Sequence, residues 1–132
     1  MNAILSKDFN SKLKPLLTTA DSLCVSIYMP IYTGATSSNF SVDRLKNLLR
    51  QAEELLSANR RNPAESLKLL RPAFSLLSDR HWQQGEGIAI FLADAAFHYY
   101  PLPLVFDELV CVGDRFHLQP LLPLITDKKH SL

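Results

Sequence analysis

Six consecutive apolar residues, Ile88 to Ala93 (IAIFLA), constrain this chain more than any other stretch. The run has strand length, since buried helices need about ten residues or more, and it is bounded by Gly85-Glu86-Gly87 and by Asp94. A strand that is apolar at every position has no side for water, so it belongs at the centre of a sheet with both faces covered. Leu23 to Met29 predicts another strand, closed by Pro30. Its Val25, Ile27 and Met29 share one face and its Cys24, Ser26 and Tyr28 the other. Phe97 to Leu104 carries two prolines and predicts an edge strand or a bulge. Phe106 to Val112 follows closely, so the last three strands are expected to form an antiparallel meander.

Between the first strand and these three the period changes. Tyr32 to Asn39 is small, polar and aperiodic, which predicts an exposed loop. Ser41 is then expected to cap a helix, with Asp43 in its first turn and Phe40 stapled onto Leu45. The stripe Val42, Leu45, Leu48, Leu49, Ala52, Leu55 and Leu56 has helical spacing. A second helix starts at Asn62, with Pro63 at its first position and Glu65 reaching back to the cap. It continues through Leu67, Leu70, Ala73, Phe74 and Leu77, with Pro72 expected to kink or split it. Lys7 to Thr18 predicts a short helix ahead of the first strand, interrupted by Pro15. The expected fold class is α+β: a two-layer domain with a mostly antiparallel sheet, element order β, α, α, β, β, β, and the helices packed on one face.

Length and composition narrow the function classes. A chain of 132 residues is one domain by size. Its net charge of +1 excludes a whole-chain electrostatic attraction to nucleic acid. The charge is uneven, however. From Asp43 to Arg71 there are seven basic residues against four acidic ones, and elsewhere seven against nine. A basic helical region bearing Arg44, Lys46, Arg50, Arg60 and Arg61 is therefore the candidate RNA- or partner-binding surface, and a solvated helix face gives the same count. Cys24 and Cys111 lie in apolar strand patterns and read as buried, unpaired thiols. No signal peptide or run of about 18 apolar residues occurs, so a cytoplasmic location without membrane attachment is expected.

Few residues converge on chemistry. Asp114, Arg115 and His117 fall in a turn after a strand, where an acid and an imidazole are able to act as orienter and base. The plainer reading gives Asp114 the turn amides, Arg115 a carboxylate and His117 a place at a domain edge. His81, Glu86 and His98 lack the spacing of a metal motif, and no glycine-rich loop precedes a helix, so neither a metal nor a cofactor is expected. Tyr99, Tyr100 and Phe97 are expected to pack within the sheet rather than stack on bases, and lone Trp82 to plug the junction between helices and sheet.

Five runs in order carry a resemblance: Val25-Ser26-Ile27-Tyr28-Met29-Pro30, Arg44-Leu45-Lys46-Asn47-Leu48-Leu49-Arg50, Gly87-Ile88-Ala89-Ile90-Phe91-Leu92, Tyr99-Tyr100-Pro101-Leu102-Pro103, and Val112 to Leu122 (VGDRFHLQPLL). Together they resemble the amino-terminal domain of the bacterial archaeo-eukaryotic release factor family over about Leu23 to Pro123, and the last run is the most specific. The resemblance implies a ribosome-associated, RNA-related translation protein whose middle and carboxy-terminal domains follow this one. It does not carry over release activity. Relatives that hydrolyse peptidyl-tRNA use a Gly-Gly-Gln loop in the middle domain, and this chain has no Gly-Gly pair. The Asn-Ile-Lys-Ser and Tyr-x-Cys-x-x-x-Phe motifs of codon reading are also missing, and Ile31-Tyr32-Thr33 departs from the Thr-His expected after the first strand.

The leucine-rich connector after Gly113 points the same way. Residues 1–123 are expected to form the domain and 124–132 a truncated connector towards a missing second domain. Leu118, Leu121, Leu122 and Leu124 would then be partly uncovered, and the isolated chain a monomer or weak dimer. The leading expectation is a non-catalytic module that binds ribosome or RNA. The alternatives are a stand-alone protein-interaction domain and a small hydrolase using Asp114 and His117.

Overall fold

The computed structural model describes residues 23–32, 37–59, 62–79, 81–94 and 96–125. The helix expected over Lys7 to Thr18 lies outside these, as do Arg60 and Arg61. Strands β1 (Cys24–Pro30), β2 (Gly87–Ala93), β3 (Ala96–Leu102) and β4 (Leu109–Gly113) form one antiparallel sheet in the order β3-β2-β1-β4. Helices α1 (Ser37–Ala58) and α2 (Pro63–Phe74) connect β1 to β2 and pack on one face, as the α+β expectation has it. Leu45, Leu48, Leu49, Ala52, Leu56, Leu69, Leu70 and Ala73 meet Val25, Ile27, Met29, Ile88, Ile90 and Leu92 in one cluster. Each large apolar side chain fully buried there contributes roughly 1.5–3 kcal/mol. Trp82 is wholly buried in the same cluster, and its indole N–H donates to the Leu76 carbonyl at 2.6 Å. It plugs the junction as expected.

The meander does not form. β3 pairs with β2, but β4 crosses beneath the sheet and pairs with β1, Ser26 opposite Cys111 and Tyr28 opposite Leu109. Two features turn the chain. Pro101 leaves the outer side of β3 short of a donor, and Phe106 is drawn under the sheet, where its ring meets Tyr28 edge-on at 5.1 Å. The crossover grazes the start of β2 so closely that a Cβ on Gly87 would lie 2.1 Å from the Leu104 carbonyl oxygen. After β4, Phe116 and Leu121 return to the same face beside Cys24, Tyr28, Ala89 and Phe91. This is how β2, buried at every position, has both faces covered.

The helix starts also differ from expectation. α1 begins at Ser37, so Ser41 lies in its second turn rather than at the cap. Its buried hydroxyl accepts the Tyr32 N–H at 3.1 Å, which tethers the chain leaving β1. Phe40 is 48% exposed and packs edge-on against Tyr32 at 4.7 Å instead of stapling onto Leu45. Propensity separates Ser and Asn from helix formers by only about half a kcal/mol per residue, so one tertiary tether overrides it. α2 begins as expected, with the Asn62 side chain accepting the Ala64 N–H at 2.8 Å and Pro63 in the first turn. Pro72 does not split it, but three residues later the helix tightens into a 3-10 turn at Ser75–Ser78.

The connector leucines are not left uncovered as a group. Leu121 is fully buried, and Leu118 and Leu124 pack against the second cluster. Leu122 is 44% exposed. The sheet has a second apolar face to cover, and these side chains cover it.

Candidate functional site

The Val112–Leu122 run, the most specific part of the resemblance, is held by β1. Alternation along the strand turns Ser26 and Tyr28 to the same side. There the buried Ser26 hydroxyl accepts the His117 N–H at 2.8 Å, and the Tyr28 hydroxyl donates to the His117 carbonyl. Both backbone groups of one connector residue are thus satisfied by two side chains of one strand. Burial, and then the nearby Cys111 thiol, push the Tyr28 phenol well above its ordinary value of 10.0, so it stays a neutral donor. The His117 ring stands edge-on to Tyr28 at 6.3 Å. Asp114 and Arg115 are exposed, and no hydrogen bond joins Asp114 to His117. The turn therefore places His117 by its backbone.

The basic region is only partly available. Arg44 is withdrawn: its Nε donates to Glu108 Oε2 at 2.8 Å and its Nη2 to Glu108 Oε1, while the Tyr32 hydroxyl donates to Oε2 at 2.9 Å. These hydrogen bonds, Arg44's foremost, hold the Glu108 carboxyl below the usual carboxylate range. Arg44 thus joins α1 to the segment before β4. A separation of 64 residues hides this pairing from any local sequence pattern. Lys46 and Arg50 are exposed one turn apart on α1, with Asp43 and Glu54 on the same solvent-facing side. Arg60 and Arg61 lie outside the described residues.

A groove of ≈ 650 Å³ opens between α2 and the β2–β3 hairpin, lined by Glu65, Lys68, Leu69 and Pro72 on one wall and Ala93, Asp94, Ala96 and Phe97 on the other. Among the described residues no group of three His, Cys, Asp or Glu side chains is placed to hold a metal. His81 instead bonds Asp79 through both its N–H at 3.0 Å and its Nδ1 at 2.9 Å, closing a turn, and His98 lies flat beside Tyr100 at 6.5 Å. No described helix is long and apolar enough to cross a membrane.

The two thiols differ in access. Cys24 is fully buried in central β1, whereas Cys111 is half-buried in edge strand β4, and burial pushes both thiols up. The expectation that both are deeply buried holds for Cys24 alone. In the native state Cys111 should react with a maleimide faster than Cys24, and Cys24 only on global unfolding. Mass spectrometry of timed labelling checks this, and equal rates would contradict the placement of β1 inside the sheet.

No protein-family model matches the chain, and no curated protein matches it by sequence.

Proposed function

We propose that this domain is a non-catalytic binding module, the amino-terminal part of a release-factor-like, ribosome-associated translation protein, and that its contact with RNA runs along α1. The observation that carries the reading is the convergence of the resembling runs. Val25–Pro30 supplies the two side chains that hold His117 of the Val112–Leu122 run, and Gly87–Leu92 supplies the strand over which that run folds. Runs spread along most of the chain thus serve one packed unit, which supports treating the resemblance as that of a domain. Lys46 and Arg50 lie off the apolar stripe of α1, so phosphate contact there would cost the core nothing.

The test is cosedimentation with ribosomes across a salt series. Binding should weaken steeply as salt rises, because each neutralised phosphate releases condensed counterions. Arg50→Glu should pellet less at low salt and reduce the log–log slope by about one or more, with unchanged helical circular dichroism. Equal pelleting of both proteins, or none by either at low salt, removes RNA as the partner.

One observation favours a second reading, a protein-interaction domain without an RNA role. The Arg44 charge is spent on Glu108, and Asp43 and Glu54 offset Lys46 and Arg50, which leaves α1 close to an ordinary solvated face.

A further inference from the structure

The two edges of the sheet are unlike. β4 is flanked by Asp107, Glu108, Asp114 and Arg115, charges of the kind that keep edge strands from pairing. β3, with the sequence AFHYYPL, carries no Asp, Glu, Lys or Arg, and its one protective device is Pro101 near its end. The direction of its free backbone groups follows from the ladder. Ile31 N–H donates to the Glu86 carbonyl at 2.9 Å, so within β2 Ile88, Ile90 and Leu92 bond towards β1. Antiparallel bonding alternates, so Gly87, Ala89, Phe91 and Ala93 bond towards β3, where they face Leu102, Tyr100, His98 and Ala96. Glu86, just before β2, departs from this alternation: its carbonyl accepts from Ile31, while its N–H donates at 2.9 Å to the Leu102 carbonyl, which therefore faces β2. The N–H and C=O groups of Phe97 and Tyr99, and the C=O of Pro101, point out of the sheet. Among the described residues none of them has a partner.

We propose that this edge pairs with the same edge of a second copy of the chain, antiparallel about a two-fold axis through His98, to give one sheet continuous across both copies. The donor pattern selects that register. Centring on His98 sets Phe97 opposite the partner's Tyr99 and engages every outward N–H. Centring on Tyr99 would set Phe97 opposite the partner's Pro101, which has no N–H to return. The charge pattern selects the occupant, because an uncharged strand meets its own copy without repulsion, as an acidic or basic edge does not. The side chains agree. Phe97 and Tyr99 project to the helix side, stacked at 5.7 Å, while the helices lie over β4, β1 and β2. Pairing would set each of these rings beside an aromatic ring of the other copy, a favourable cross-strand combination. Such a contact is isologous and closes at the dimer, so no filament follows.

The experiment uses the full chain, with sedimentation equilibrium over a wide concentration range and amide hydrogen exchange by NMR at low and high concentration. A reversible dimer is expected in which the Phe97 and Tyr99 amides become protected as concentration rises, while those of His98 and Tyr100, already bonded to β2, change little. His98→Lys places two ammonium groups face to face at the axis and should weaken association by about tenfold or more. His98→Gln, which adds no charge, should associate like the parent, and circular dichroism of both variants should match it. A monomer at every concentration overturns the proposal. So does a dimer whose Phe97 and Tyr99 amides stay unprotected, or one that His98→Lys leaves intact.

Discussion

Replacing Gly87 by alanine should destabilise this domain more than any other single-methyl change, by about 3 kcal/mol or more, at the upper end of the cost of overpacking. The added Cβ would sit 2.1 Å from the Leu104 carbonyl oxygen and 2.7 Å from the Phe106 ring. Neither neighbour is the free end of a flexible side chain. Leu104 is backbone in the crossover, and Phe106 is wedged against Tyr28. Relief requires the crossover to lift from the sheet, which withdraws Phe106 and loosens the approach to β4. Urea unfolding of the wild type and the variant measures the loss. A midpoint within error of the wild type would mean that the crossover does not pass over β2. Gly113 is a built-in control, because a Cβ there approaches nothing closer than 3.9 Å.

Tyr28→Phe should cost about 1–3 kcal/mol at neutral pH, since it removes the donor to the His117 carbonyl and leaves that acceptor unpaired beside an apolar cluster. The same substitution should change the alkaline limb of stability. Burial raises the Tyr28 phenol above its ordinary value of 10.0 in the folded chain, so the folded state holds its proton more tightly than the unfolded state does. The resulting stabilisation is complete below about pH 10 and declines as pH rises beyond it, by at most about 1.4 kcal/mol per pH unit. Cys24 and Cys111, raised from 9.0 by burial, begin a decline of the same sign near pH 9, and Tyr100 adds to it above 10. The difference between wild type and Tyr28→Phe isolates the Tyr28 part. It should be largest at neutral pH and shrink above pH 10. A gap that stays constant through that range would show that Tyr28 ionises in the folded state as easily as in the unfolded chain. Ser26→Ala, which strips the partner from the His117 N–H, should reproduce the neutral-pH loss without the alkaline change.

Much of the fold was legible because period and burial are local signals. IAIFLA suited a covered central strand and is one, the alternation in β1 sorted Val25, Ile27 and Met29 from Cys24, Ser26 and Tyr28, and Asn62-Pro63 marked a helix start that its side-chain bond realises. The prolines near the end of β3 pointed to an edge, and β3 is one. The site was far less legible. Lys46 and Arg50 are exposed as their off-stripe spacing implied, but Arg44 looked identical to them in sequence and turned out to be engaged by Glu108.

What the residues determined unaided is the four strands and the two helices between β1 and β2, with their apolar sides, because helical and strand periods depend on near neighbours along the chain. What only tertiary structure decided is which edge β4 joins, what covers the second face of the sheet and which charges are left over. Those outcomes rest on meetings between residues far apart in sequence: Phe106 with Tyr28, Glu108 with Arg44, His117 with Ser26. Each is a competition between long-range partners that differ by a few kcal/mol or less, and no local pattern records which partner wins.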